Sequence, residues 1–529
     1  MGHLGSPTEV PDNVGFVVRY NYLTMSDIGT PPALTQRQIY TVFGGVMAGL
    51  GLSALDGTIV NTALPTIVQQ LGGLQYYAWV GTSYMLTSTA STPLFGKISD
   101  LYGRRRPFQA AILLFILGSL FCGISTNMWQ LVVSRGIQGI GGGGLFSLSF
   151  AIIGDIVPPR ERGRYVGMIT SVFTISSVIG PLIGGFIVDN TSWRWIFLVN
   201  LPVGLVALAI TDRALKLPYR RTNSKIDFLG ATFLVGSVTS LLLGLSWTGE
   251  EYGWASAPTL ALFAASLIIG ILFFWWERRA DEPIVPLSLF QNDVIRATVP
   301  VLVLVGAVFY GANAFMPLFL QGVTGVSATK SGLLLTPLAF SVALSATIVG
   351  RITSRVGSYK GFMPAGAVIA AGGLLCASLL GPEHKYLYLA MTASFLLGTG
   401  MGMMLPTATL ATQNAVSMTE MGTASSLAVF VRQLGGSIGL AAYGAVFSAQ
   451  ISGKVTSPEE MAAIRMPRTI KNLPSPQKEE VLDILTHAIT RVFWTALPVM
   501  IVAFVFALWI PVRQLRTSAS LNTESSAAH

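Results

Sequence analysis

Long apolar stretches alternate along this chain with short polar or basic segments. A helix needs about 20 predominantly apolar residues to cross a bilayer, because its backbone groups must bond to one another there. Fourteen stretches approach or exceed that length, so the pattern predicts an all-α polytopic membrane protein with fourteen transmembrane helices. They lie at residues 40–62, 77–96, 108–125, 130–154, 164–188, 195–212, 227–247, 258–276, 297–320, 331–350, 362–381, 386–405, 422–449 and 491–512.

The composition excludes most other classes of protein. Of the 529 residues 52% are hydrophobic and 11% are charged, and the mean hydropathy is +0.62. Soluble proteins carry about 25% charged residues, so these charges cannot cover a large soluble domain. Disorder and a secreted disulfide scaffold are excluded as well, and Cys122 and Cys376 are predicted to be buried thiols.

Basic residues orient the predicted helices. The loops after the second, fourth, sixth, eighth and tenth helix carry three to five Lys or Arg each, whereas the short opposite loops carry almost none. Basic loops stay on the cytoplasmic side, so both termini are expected there, as flexible tails at 1–38 and 513–529. The basic segment 450–490 is long enough to cross regardless, and residues 479–485 are expected to form a short amphipathic cap outside the membrane.

An internal repeat divides the chain. Segment 96–103 recurs as 350–357, at an offset of 254, with Gly, a base, Ile, a hydroxyl residue and a final Gly at matching positions. Parallel repeats of this kind build many transporters. We therefore expect an N-terminal six-helix bundle at 39–212, connectors with a two-helix insert at 213–296, and a C-terminal six-helix bundle at 297–512.

Few ionisable residues fall inside the predicted helices, where each is costly. Asp56, Arg135 and Arg432 do, and Asp155 ends the fourth helix. Either these side chains line an aqueous cavity between the halves, or they form structural ion pairs or extend to the membrane surface. Asp56 is the candidate proton carrier, because burial raises the pKa of a carboxyl group, whereas arginine stays charged. Gln138, one turn from Arg135, is expected to orient its guanidinium.

The loop after the second helix contains Gly96, Asp100, Gly103, Arg104 and Arg105. Gly103 permits a sharp turn. Asp100 is expected to pair with a neighbouring arginine or with a helix N-terminus of the other half, closing the cytoplasmic face. Ser354 replaces Asp100 in the second half, so this closure is expected on one side only.

The fifth helix carries small residues at Gly180, Gly184 and Gly185, with Pro181 between them. Small residues let helices touch closely, and proline permits a kink. The pattern indicates either tight packing alone or a bendable, leak-proof contact with the other half. The glycine run 141–144 has no strand before it and no Lys-Ser/Thr after it, which excludes a phosphate-binding loop.

Four of these motifs resemble the fourteen-span drug:proton antiporter branch of the major facilitator superfamily. Ser176 departs from the antiporter motif, which usually has glycine there. The matching segments are Leu55–Pro65, Gly96–Arg105, Arg135–Gly139 and Gly180–Gly185.

The resemblance implies two six-helix bundles that rock about a central cavity and export organic molecules in exchange for protons. By the family's pattern Arg135 takes part in proton transfer, Asp100 in gating and the fifth helix in preventing leak. Segments 193–202 and 277–290 are similar to fungal members of this branch, many of which export toxins, secondary metabolites or antifungal drugs, so a fungal origin is expected.

Two other functions stay open at this point. One is an importer or facilitator of a nutrient or an iron chelate; the other is a membrane-embedded enzyme or a non-transporting sensor. The four histidines are far apart in sequence, and no triad, metal motif or soluble sensor domain is evident. We therefore expect no metal and no cofactor beyond the proton gradient.

The expected partners are a small amphiphilic organic substrate, protons and the lipid bilayer, with no nucleic acid and a monomeric chain. The expected location is the plasma membrane, with a vacuolar or vesicle membrane as the alternative. Asn190 begins a glycosylation sequon on the outer side. Aromatic and methionine side chains in the ninth and twelfth helices, such as Tyr310 and Met401, indicate either a greasy substrate or lipid-facing packing.

Overall fold

A computed structural model describes residues 36–71, 77–157, 159–215, 227–250, 253–281, 283–326, 328–383, 386–417, 420–451, 454, 457, 470 and 473–511. These residues form helices, turns and no strand, as the apolar pattern predicts. The helices are α1 Gln36–Leu71, α2 Tyr77–Tyr102, α3 Arg105–Ile124, α4 Met128–Ile156, α5 Pro159–Asn190, α6 Trp195–Leu198, α7 Asn200–Ala214, α8 Phe228–Glu250, α9 Ala257–Glu277, α10 Asp293–Leu318, α11 Ala328–Val356, α12 Phe362–Ser378, α13 Tyr386–Asn414, α14 Met421–Ile451 and α15 Ser475–Trp509.

A helix lies at each of the fourteen predicted positions, with the sixth divided into α6 and α7. Eleven helical segments of the described chain are long and apolar enough to cross a membrane. The apolar α12 has 17 residues, and α2 and α5, which are rich in Ser, Thr and Gly, are not among the eleven. The all-helical fold class is confirmed, and the count of fourteen spans stays a prediction.

The internal repeat is visible in the helix boundaries. α2 ends at Tyr102 and α11 ends at Val356, again 254 residues apart. The next residue is a glycine in the left-handed region in both cases, with φ of 81° at Gly103 and 73° at Gly357. An L-residue with a side chain rarely adopts that conformation, so glycine makes both turns possible.

The two halves, α1–α7 and α10–α15, meet through equivalent pairs of helices. α2 packs against α14, and α5 packs against α11. The repeat relates α2 to α11 and α5 to α14, so it exchanges one contact for the other. α8 and α9 are joined by reciprocal hydrogen bonds between Ser237 and Ser266, and α8 packs on both α2 and α14.

The structure corrects the expectation for the segment 450–490. Its described final part is the beginning of α15, which runs without a break from Ser475 to Trp509. Residues 479–485 therefore extend a long apolar helix and form no separate cap, because their buried residues, Val481 and Leu485, continue the inward face of α15. Most of the predicted terminal tails lie outside the described residues.

Two side-chain expectations are also resolved. Cys122 and Cys376 are free thiols, the first buried and the second half-buried. Of the aromatic and methionine side chains in α10 and α13, Met401 is buried in the core of the C-terminal half, whereas Tyr310 is half-buried. Lipid-facing packing therefore does not describe Met401.

Candidate functional site

The charged residues predicted in the first and fourth helices meet as an ion pair. Arg135 Nη1 of α4 donates a hydrogen bond to Asp56 Oδ2 of α1. Asp56 is 1% exposed and Arg135 is 2% exposed. An unpaired charge in such surroundings is strongly destabilising, so each ion makes the burial of the other tolerable.

Uncharged side chains complete the hydrogen bonding of this pair. Gln138 accepts from Arg135 Nη1 at 2.7 Å and donates to Asp56 Oδ1 at 2.8 Å. Asn200 of α7 donates to the same carboxylate oxygen at 3.1 Å and to Ser119 Oγ of α3 at 3.0 Å. The geometry thus contains the hydrogen bond that the expected role of Gln138 requires.

Sequence reasoning did not find three members of this cluster. Asn200 and Ser119 are buried polar residues inside apolar runs, which was the available signal, since a buried amide needs partners. The ring of Tyr84 lies under the Arg135 guanidinium, 4.3 Å from ring centroid to Cζ. We call Asp56, Arg135, Gln138, Asn200, Ser119 and Tyr84 the buried polar cluster.

The position of the cluster differs from one expectation. An aqueous cavity between the halves was one of the alternatives for Asp56 and Arg135, and a structural ion pair was another. The structure encloses both residues within the N-terminal half, between α1, α2, α3, α4 and α7. The physical reason is that the two charges already have polar contacts in place of water. These contacts come from Gln138, Asn200, Tyr84 and a backbone carbonyl. In this conformation the pair has the geometry of a structural ion pair.

The cluster can nevertheless change its charge by one proton. A carboxyl group accepts a proton, whereas a guanidinium stays charged at any physiological pH. Protonation of Asp56 would remove the counter-charge of Arg135 and leave it with Gln138, the Val80 carbonyl at 3.3 Å from Nε, and the Tyr84 ring. The cluster therefore places one protonatable group beside one permanent cation.

A second cluster joins the halves at the end of the molecule that carries the basic loops, here called the basic-loop end. Asp100, near the end of α2, accepts hydrogen bonds from Gly422 N at 2.9 Å and Thr423 N at 2.7 Å. It also accepts from Thr423 Oγ1 at 2.7 Å. These residues begin α14, where free backbone donors favour a negative charge. We call Asp100, Gly422 and Thr423 the inter-half latch.

Glycines allow the two helices to approach at the latch. A Cβ added at Gly96 would lie 1.9 Å from Ser426 Oγ, and one added at Gly422 would lie 2.4 Å from Asp100 Oδ1. Any side chain at either position would separate α2 from α14. Gln413 of α13 adds an inter-half hydrogen bond to the Phe150 carbonyl at 3.1 Å, a contact that sequence reasoning missed.

Arg104 holds the latch carboxylate from its own side. Its Nη1 donates to Asp100 Oδ1 at 2.5 Å, and its Nε donates to Asp155 Oδ2 of α4 at 2.6 Å. Burial favours a lower pKa for Arg104, but the two carboxylates outweigh burial and raise the pKa above its ordinary value. Arg105 forms an exposed ion pair with Asp212 within the N-terminal half. Asp100 thus has both alternative partners expected from the sequence, an arginine and a helix N-terminus.

The glycine motif of α5 makes a contact within its own half at Gly180. A Cβ there would lie 2.0 Å from Thr58 Oγ1 on α1, and that hydroxyl donates to the Ser176 carbonyl of α5 at 3.0 Å. Tight packing, one of the two alternatives for this motif, therefore describes Gly180 in this conformation, although α5 as a helix packs on α11 of the other half. Pro181 lies inside α5, Gly184 is buried, and Gly185 has open space around its Cα.

Arg432 is separate from both clusters. It lies on α14, half-buried, with its guanidinium carbon 4.9 Å from the ring centroid of Phe146 on α4. Asn190 is the last residue of α5 and is exposed, with its amide donating to the Phe186 carbonyl at 2.9 Å. Its side chain would have to leave that bond to carry a glycan, and glycosylation stays a prediction.

The sequence matches the profile of the Major Facilitator Superfamily over residues 46–440. It is 34% identical to the multidrug transporter protein MdtP of Bacillus subtilis, over 92% of this chain and 95% of that protein. It is 30% identical to the efflux pump FUS6 of Gibberella fujikuroi, over 94% of this chain and 93% of that protein.

Solved structures agree with the fold. The human organic anion transporter MFSD10 superposes with a TM-score of 0.61 at 16% identity, covering 89% of this chain and 100% of that one. The proton:xylose symporter XylE superposes with a TM-score of 0.59 at 13% identity, covering 92% of this chain and 98% of that one. At such identities the likeness concerns the helical fold alone.

Proposed function

Because the chain belongs to the Major Facilitator Superfamily of membrane transporters, we propose that it exports amphiphilic organic compounds, such as drugs or toxins, in exchange for protons. The relatives at 30% identity or more are named as multidrug transporters and efflux pumps, and they match over nearly their whole length. This supports small organic substrates and outward transport. The observation that carries proton coupling is the buried Asp56–Arg135 pair.

Asp56 is the carboxylate in this proposal that takes up and releases the coupling proton. It is the acidic member of a cluster that is otherwise uncharged apart from Arg135. When Asp56 binds a proton, its attraction to Arg135 falls, and the arginine is free to take other partners on α1 or α2. When the proton leaves, the ion pair forms again. One proton therefore interconverts two arrangements of α1 against α4.

The inter-half latch supplies the second requirement of alternating access. Rocking of two bundles about a central site needs contacts that can close one end and then release it. The latch joins α2 to the beginning of α14 through three hydrogen bonds to Asp100. We propose that this end is cytoplasmic, so that the described conformation is closed toward the cytoplasm.

The same reasoning places the chain in its surroundings. Basic loops at the latch end favour a cytoplasmic location for that end and for both termini. We further propose the plasma membrane as the site of action, a monomer as the working unit, and no cofactor beyond the proton gradient. The exposed Asn190 would then face outward.

Inside-out vesicles containing the chain test the proposal. With an acidic lumen, an exporter exchanging for protons should accumulate amphiphilic compounds from a test panel, and an uncoupler should abolish accumulation. Asp56→Asn should remove gradient-driven accumulation while binding of the same compound is retained. The matched control is Asp293→Asn, which makes the same change at a carboxylate whose side chain is 70% exposed.

Two results would contradict the proposal. Accumulation that survives in Asp56→Asn with the same dependence on the pH gradient would remove this residue from coupling. Net movement of the compounds out of the vesicles, in the direction of the leaving protons, would indicate import by the intact protein.

A further inference from the structure

Arg432 is a half-buried cation that the proton cycle and the latch do not use. It lies eleven residues after Met421, the first residue of α14, so it is about 16 Å along that helix. With a hydrocarbon core of about 30 Å, this places the guanidinium near mid-depth. A charge at that depth is costly unless it is paired or hydrated, and such a residue marks a functional site by default.

The arginines that the structure buries fully all have ionic or hydrogen-bonding partners. Arg135 pairs with Asp56, and Arg104 pairs with Asp100 and Asp155. Arg162 donates to the backbone carbonyls of Val157 and Gly154. In the part of the chain that the structure describes, Arg432 has neither an ion pair nor a hydrogen bond to its guanidinium, and this distinguishes it.

The surroundings of Arg432 belong to both halves. Phe146 of α4 presents its ring 4.9 Å from the guanidinium carbon, and it comes from the N-terminal half. Tyr310 of α10 packs against Gly436, one turn further along α14, where an added Cβ would lie 2.5 Å from the ring. Aromatic faces stabilise a cation only in part, and they do not replace a counter-ion. The site is therefore a cation over an aromatic ring of the other half, with a second aromatic ring packed one helical turn away.

We propose that Arg432 binds a carboxylate group of the exported compound, with Phe146 and Tyr310 contacting its apolar portion. This rests on the proposed export of amphiphilic compounds and names a class among them, the amphiphilic organic acids. A guanidinium offers two parallel N–H donors that match a carboxylate, a geometry that lysine lacks. Because the ligand would touch α4, α10 and α14 together, it would bind where the halves move against each other.

The experiment compares one compound in two charge states. A hydrophobic carboxylic acid and its methyl ester are offered to the purified chain in proteoliposomes with an imposed pH gradient. For the wild-type protein we expect a KM for the acid at least tenfold lower than for the ester. Arg432→Gln should raise the KM for the acid at least tenfold and change the KM for the ester by less than twofold.

Two further variants define the result. Arg432→Lys keeps the charge without the planar pair of donors, and it should give a KM for the acid between those of wild type and Arg432→Gln. Arg296→Gln makes the same substitution at an arginine whose side chain is 67% exposed, and it should resemble wild type. Binding of acid and ester by the wild-type protein in detergent, followed by tryptophan fluorescence, gives the preference without any variant.

The outcomes separate this inference from the proposed function. Export of the ester and the acid with equal KM by wild type, or an equal loss of both in Arg432→Gln, overturns the role of Arg432 and leaves export intact. Failure of the wild-type protein to move either compound against its gradient overturns the proposed export, and the carboxylate site with it.

Discussion

Removing the charge of Asp100 is the sharpest test of the inter-half latch. Each carboxylate oxygen accepts two hydrogen bonds. Oδ1 accepts from Arg104 Nη1 and Gly422 N, at 2.5 and 2.9 Å, and Oδ2 accepts from Thr423 N and Thr423 Oγ1, both at 2.7 Å. Asparagine has a single side-chain oxygen. Whichever way the amide is turned, two donors lose their acceptor and face an NH₂ group.

The magnitude follows from those two contacts. A hydrogen bond to a charged group contributes about 1.5–3 kcal/mol, so Asp100→Asn removes about 3–6 kcal/mol from the latched arrangement as an upper value. Arg104 and Asp100 belong to the same half, so the amide oxygen can keep the Arg104 and Gly422 contacts. The two lost contacts are then those from Thr423, which exist only in the latched state, and water satisfies these groups when the halves separate. Even 3 kcal/mol corresponds to about a hundredfold change in the ratio of closed to open molecules.

Distances between spin labels measure this shift directly. Labels at Arg106 and Lys360, which are exposed at the basic-loop end in opposite halves, report its opening once Cys122 and Cys376 are replaced by serine. Asp100→Asn should move the distance distribution toward longer values. Transport should show a lower kcat with little change in KM, because the substrate contacts are untouched.

Asp212→Asn is the matched control for Asp100→Asn. It breaks the exposed ion pair with Arg105 at the same end of the molecule, but both partners belong to the N-terminal half. Its distance distribution should match that of the wild-type protein. If Asp100→Asn gives the wild-type distribution as well, the hydrogen bonds to α14 do not hold the halves together and the reasoning fails.

Two pairs of glycine substitutions test the close contacts between helices, one pair at the latch and one between α5 and α1. Gly422→Ala places a Cβ 2.4 Å from the latch carboxylate, so it should reproduce the opening and the lowered kcat of Asp100→Asn, whereas Gly444→Ala on the same helix meets open space and should not. Gly180→Ala places a Cβ 2.0 Å from a threonine hydroxyl of α1; it should lower the thermal stability of the purified protein by the equivalent of about 1–3 kcal/mol and reduce transport. Gly185→Ala, with nothing within 4 Å, should leave both unchanged, and equal behaviour of the two variants would rule out the close contact of α5 with α1.

Features that depend on local chemistry could be predicted from the sequence. The helix positions follow from the length of apolar runs, and the turns at Gly103 and Gly357 follow from a glycine after each repeated segment. The kinds of partner that Asp100 binds could also be predicted. A carboxylate beside three arginines and near the end of a helix is expected to bind an arginine or a helix N-terminus. In each case the signal is local, although the α14 partners of Asp100 are more than 300 residues away in sequence and only their class, a helix N-terminus, was predicted.

Features that depend on which helices become neighbours could not be predicted. An apolar period does not say that α7 brings Asn200 to Asp56, or that Gly180 faces Thr58 of α1. The choice between a cavity and an ion pair for Asp56 depends on the same information. The number of polar neighbours around a charge decides whether it needs water, and those neighbours come from α2, α4 and α7.

The surroundings of Arg432 show the same limit. Its position inside an apolar run marks it as unusual, but an apolar pattern does not show whether a carboxylate lies nearby. The structure brings Phe146 of the opposite half to it instead. Which groups surround Arg432 depends on the packing of helices that are distant in sequence.

One continuous helix reaches both clusters. Its Arg135 belongs to the buried polar cluster, and its Asp155 binds Arg104, which holds the latch carboxylate. Arg135 and Asp155 both belong to α4, twenty residues and therefore about 30 Å apart. Between them, a Cβ added at Gly141 would lie 2.5 Å from Phe115 N of α3, and one added at Gly143 would lie 2.2 Å from the Ser88 carbonyl of α2. α4 thus packs closely against both α2 and α3 near its middle. A rotation or translation of one end of α4 would therefore also move its other end. Gly141 and Gly143 contact neither the proton site nor the transported compound. Substitutions there should nevertheless uncouple protonation at Asp56 from the opening of the latch at the other end of α4.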